Sequence, residues 1–75
     1  MNQRSKEARA RLRTATRAEF ESLVYEALLT PTQEKIVRLH IAEKIPVTYI
    51  AERFCMSEGT VRRNLQEVYV KVAKL

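Results

Sequence analysis

The chain of 75 residues contains no Asp and no Trp, and only one Cys, one Gly and two Pro. Average usage would supply about nine Gly and Pro in a chain this long, so a sequence this poor in turn residues is expected to be mostly helix. One Cys permits no internal disulfide and no Cys-rich zinc site, and the single His adds at most one more good ligand. A metal-stapled fold is therefore not expected. Without Asp, and with a lone Gly, the parts of a phosphate-cradling loop, of Mg-dependent phosphoryl transfer and of a dinucleotide fold are missing. Neither an enzyme nor a cofactor is expected. Apolar runs reach three residues, as in Ala27-Leu28-Leu29 and Phe54-Cys55-Met56, against the ~20 that span a bilayer. No apolar segment follows Met1-Asn2-Gln3-Arg4-Ser5-Lys6, which predicts no secretory signal and an intracellular, cytoplasmic protein.

What is present is unevenly spread. Residues 1–17 hold Arg4, Lys6, Arg9, Arg11, Arg13 and Arg17 against Glu7 alone, while residues 18–75 carry equal numbers of acids and bases, so the whole net charge of +5 sits in an N-terminal arm. Beyond Met1 its one large aliphatic side chain is Leu12. Alone it cannot bury enough surface to offset its ordering entropy, and it is expected to be mobile or a helical extension. Three roles are open to it: a solubilising tail, a phosphate-contacting extension with salt-sensitive affinity, or an organelle transit peptide. The remainder, residues 18–75, forms one domain with one small core.

From Ala18 to Leu29, apolar residues at Phe20, Leu23, Val24, Ala27 and Leu28 make one helical stripe. Thr30, Pro31 and Gln33 then read as N-cap, first helical position and capping-box partner of a second helix that runs to about Glu43, with Glu34 and Arg38 as an i,i+4 pair. Pro46 ends that segment and leaves Ile45 in a loop. A short third helix, about Val47 to Phe54, turns Ile50, Ala51 and Phe54 inward. Ser57 caps a last helix in which Val61, Leu65, Val68, Val72 and Leu75 recur at spacings of four and three.

A short helix, a tight turn and a Ser-capped second helix make the helix-turn-helix layout, whose second helix enters the major groove of DNA. Here Ala51 is small enough for a close helix crossing, Met56 plugs the corner, and Val61 with Leu65 clamp the last helix to the core. At about 100° per residue Arg63 points away from Val61, with Gly59 and Gln66 near it and Arg62 and Thr60 flanking. Arg pairs bidentately with guanine and Gln with adenine, so Arg62, Arg63 and Gln66 are the base-reading candidates. Ser57 and Thr60, in the first turn where backbone N–H groups are unpaired, suit phosphate oxygens, Glu58 and Asn64 are further candidates on the same helix, and Thr48 and Tyr49, which open the third helix, suit phosphate contact, with packing equally open to Tyr49. Gly59 would let backbone approach DNA closely.

From Leu29 onward the chain resembles the fourth conserved region of bacterial sigma factors, which reads the promoter −35 element, and is also similar to LuxR-type DNA-binding domains. The match rests on Leu29-Thr30-Pro31, Ile50-Ala51-Glu52-Arg53, Ser57-Glu58-Gly59-Thr60-Val61-Arg62 and Leu65. The distance from Leu29 to Ile50 fits the sigma pattern without a gap. Lys44 stands where both families usually carry Gly, and Pro46 where they carry a capping Ser, so this turn is expected to be built differently. The resemblance implies an all-α, four-helix helix-turn-helix domain behind the basic arm, acting as a bacterial or phage-type transcriptional regulator on double-stranded DNA. A second reading is a protein-binding adaptor that docks on RNA polymerase, a sigma antagonist or another regulator, and pairing into a homodimer is open.

Three side chains carry plainer readings. His40 is expected to be a packed or boundary residue, and Cys55 a small buried hydrophobe rather than a redox sensor. Val70, on the outward side of the last helix, could form a small contact patch with Tyr69.

Overall fold

The computed structural model describes residues 3–75, and these are all-helical, with no strand among them. Five α-helices follow one another: α1 (Gln3–Thr14), α2 (Arg17–Glu26), α3 (Pro31–Val37), α4 (Val47–Arg53) and α5 (Glu58–Ala73). A π-helical turn, Arg38–Ala42, extends α3.

The starts follow from capping chemistry. Thr16 accepts the Glu19 N–H at 3.2 Å while the Glu19 carboxylate accepts the Thr16 N–H at 3.1 Å, a capping box that opens α2. Thr30 and Gln33 form the same box at α3, with Pro31 in its first turn. Ser57 opens α5 by accepting the Thr60 N–H at 3.1 Å. At α4 the cap position is Pro46, which offers no side-chain hydrogen bond. That start thus lacks the side-chain cap that opens α2, α3 and α5.

The ends share a less usual device. Leu28, Lys44 and Cys55 take positive φ values of 54°, 58° and 54°, the left-handed region that normally goes to Gly after a helix, and non-Gly residues there cost about 1–2 kcal/mol each. Lys44 thereby allows the Ile45 N–H to reach back to the Leu39 carbonyl at 2.9 Å, and the His40 Nδ1–H donates to the Ile45 carbonyl at 2.9 Å. His40 is half-buried, in line with its boundary reading. Leu28 is different from what its place in the stripe implied. Because α2 stops at Glu26 and the chain turns left-handed, Leu28 is 82 % exposed while Phe20, Leu23, Val24 and Ala27 stay buried. Cys55 is likewise exposed rather than buried, since its left-handed turn throws the side chain outward.

The core joins all five helices. Ile36, Val37, Ile50, Val61, Val68 and Val72 are wholly buried, with Ala51 tight at the α4–α5 crossing and Met56 and Phe54 half-buried beside it. Leu75, the last member of the expected stripe, lies beyond the end of α5 and is half-exposed. Within the basic arm, α1 lies chiefly along α5 and buries Ser5, Ala8 and Leu12 at i, i+3 and i+7. Arg17, grouped with the arm by charge, opens α2. Arg38 ties α2 to α3 by a bidentate pair with Glu21 and a 3.0 Å contact with Glu34, its guanidinium 5.9 Å from the Phe20 ring centre.

Candidate nucleic-acid interface

The candidate face is set by how α5 is held. Its Val61, Leu65, Val68 and Val72 edge is sunk in the core. A polar clasp adds orientation: buried Gln33 donates to the Glu67 carboxylate at 2.7 Å and accepts from Lys71 Nζ at 2.8 Å, so the capping residue of α3 also grips the middle of α5. Ala51 is buried and its carbonyl accepts the Met56 N–H at 2.9 Å, with the Met56 side chain half-buried against the core.

With that edge fixed, Arg62 and Arg63 are left exposed. Arg62 lies 3.2 Å from the Glu58 carboxylate, one turn earlier, in an exposed pair of the kind that contributes little. Arg63 belongs to no ion pair among the described residues. Gly59 is exposed in the first turn, and a Cβ there would meet only Ser57 Oγ at 3.8 Å. Neither strain nor crowding within the chain accounts for Gly at this place. Thr60 and Asn64 are half-buried and engaged locally: the Ser57 hydroxyl donates to Thr60 Oγ1 at 3.0 Å, and Asn64 Nδ2 donates to the Thr60 carbonyl at 2.9 Å. Thr48 and Tyr49 are exposed in the first turn of α4, Tyr49 by 54 %.

Gln66 stands apart from the other candidates. It is half-buried, and its Nε2 donates to the Ser5 hydroxyl of α1 at 3.1 Å. The arm thus covers the position of Gln66 while Arg62 and Arg63 stay open. Arg4, Lys6, Arg11, Arg13 and Arg17 are exposed, whereas Arg9 is half-buried with its Nε without a hydrogen-bond partner. Tyr69, expected beside Val70 in an exposed patch, is buried under the arm; burial pushes its hydroxyl pKa up, and Arg9 and Arg13 pull it partly back. Val70 alone remains exposed, because α1 occupies the neighbouring face.

Residue patterns left two of these features unread. The i, i+3, i+7 series Ser5, Ala8 and Leu12 is the signal for a docked α1, but its small residues carry little hydropathy. The Gln33 clasp links α3 to α5 across more than thirty positions and has no local signature.

Among the described residues, no group of three or more His, Cys, Asp or Glu is placed to hold a metal ion, and no helix is long and apolar enough to cross a membrane. No protein-family model matches the chain, and no curated protein or solved structure matches it either.

Proposed function

We propose that this chain is a sequence-specific duplex-DNA-binding regulator resembling sigma region 4, in which α4 and α5 act as a helix-turn-helix and α5 enters the major groove. The observation that carries the reading is the two-sidedness of α5. One edge is wholly buried, and the opposite side presents exposed Arg62 and Arg63 beside an exposed Gly59. Arg63 is the strongest base-reading candidate because no acid occupies it. Ser57 and Thr60 suit phosphate oxygens near the helix start, with Glu58 and Asn64 beside them on the same helix. Gln66 is assigned a supporting role: its bond to Ser5 sets α1 alongside α5, so that the arm's exposed Arg4 and Lys6 add backbone contacts to those of the last helix.

Fluorescence anisotropy on a pool of random duplexes at low salt tests this. Binding is expected, and it falls sharply when Arg62 and Arg63 are both replaced by Ala. No binding, or binding indifferent to that double substitution, overturns the proposal.

A further inference from the structure

Between α2 and α3 lies a shallow groove of about 360 Å³, away from the arginines of α5. Its floor and walls are Val24, Tyr25, Leu28 and Leu29, and its borders are Glu21, Glu34 and Arg38. Tyr25 and Leu28 are each 82 % exposed, the two most exposed large apolar side chains among the described residues. Both line the same groove, three positions apart, so they form one patch rather than scattered surface residues. Leu28 also holds a left-handed backbone, with φ at 54°, where Gly would be unstrained. Lys44 and Cys55 share that backbone, but only at Leu28 does the strained position carry a large aliphatic group that the fold itself leaves in water.

Charge selects the occupant. Glu21 and Glu34 share Arg38, the one cation of the lining, and exposed Glu26 neighbours Tyr25, so acids outnumber bases here three to one in a chain whose net charge is +5. We propose that this groove docks an amphipathic helix of a partner protein, with apolar residues at i and i+3 or i+4 seated on Tyr25 and Leu28 and Lys or Arg flanking them. The inference stands independently of DNA binding, since none of its residues belongs to α5.

The test is selection from a displayed library of amphipathic helices with basic flanks, against the full chain, beside a matched library with acidic flanks. Basic-flanked peptides are expected to be enriched, and their affinity drops tenfold or more on Leu28→Gly and on Tyr25→Ser. Leu28→Gly removes the side chain while relieving the backbone, so its melting temperature holds or rises and the loss cannot be laid to unfolding. No enrichment, equal binding of acidic-flanked peptides, or indifference to both substitutions overturns the proposal. So does self-association in sedimentation that Leu28→Gly abolishes, which assigns the groove to a second copy, or groove-dependent binding to vesicles containing phosphatidylglycerol.

Discussion

Replacing Gly59 by Ala separates what α5 needs for folding from what the proposed DNA contact needs. Gly59 follows Glu58 in the first turn of the helix capped by Ser57, and no Gly in the chain has a positive φ. The added Cβ would sit 3.8 Å from Ser57 Oγ, an ordinary contact. Ala should therefore realise the helix-propensity gain over Gly, up to about 1 kcal/mol, which raises the melting temperature of a domain this small by up to about 4–8 °C. On the proposed interface the same methyl faces the DNA backbone at its closest approach. Affinity for duplex DNA is then expected to fall by about tenfold, roughly 1.4 kcal/mol. Thermal unfolding followed by circular dichroism, together with anisotropy on one duplex, reads both. A lower melting temperature would mean that Gly59 serves the fold, and unchanged DNA affinity in the stabler variant would refute the close approach.

Three further outcomes follow from the packing and charges. Leu12→Ala removes the one large apolar anchor of α1, at 2 % exposure, and is expected to cost about 2–5 kcal/mol in urea unfolding and to release α1 in hydrogen exchange; protected amides in residues 3–14 of that variant would contradict it. Lys44→Gly is expected to stabilise the chain by about 1 kcal/mol, because Gly meets the φ of 58° without strain; a loss of stability would show that the Lys side chain contributes more than its exposure suggests. Hydrogen bonds from Arg38 hold the Glu21 carboxyl below its ordinary 4.5, and the Thr16 backbone N–H does the same for Glu19. A carboxyl lowered in the folded state contributes fully above its unfolded value and is lost as pH falls through the folded value, so melting temperature should decline as pH drops below 4.5, and less steeply in Glu21→Gln. Equal slopes in the two proteins would remove Glu21 from the account.

Local chemistry was the readable part of this chain. Thr30, Pro31 and Gln33, the break at Pro46 and the Ser57 cap each announce a helix boundary through groups within a few positions, and the structure has them where those groups demand. Val61, Leu65, Val68 and Val72 could be read as buried because a helix period is enforced by geometry alone. Leu28, Cys55 and Tyr69 could not. Whether Leu28 continues a stripe depends on where α2 ends, and the left-handed residue that ends it carries no Gly to mark it. Tyr69 is buried by α1, an element whose docking rests on Ser5, Ala8 and Leu12, and charge dominates that stretch of sequence. The candidate site divides in the same way. The outward direction of Arg62 and Arg63 follows from helix phase, whereas the covering of Gln66 follows from a bond spanning 61 positions.

The most direct measurement uses Cys55, the single cysteine, exposed in the turn just before α5. An iron chelate tethered to its Sγ generates hydroxyl radicals that cut whatever DNA lies alongside, on a duplex recovered by selection from random sequence. Helix α5 lying in the major groove requires strand cleavage confined to a few nucleotides at one edge of the selected site, lost when Arg62 and Arg63 are both Ala. Cleavage spread evenly along the duplex, or no more than untethered chelate gives, would contradict it.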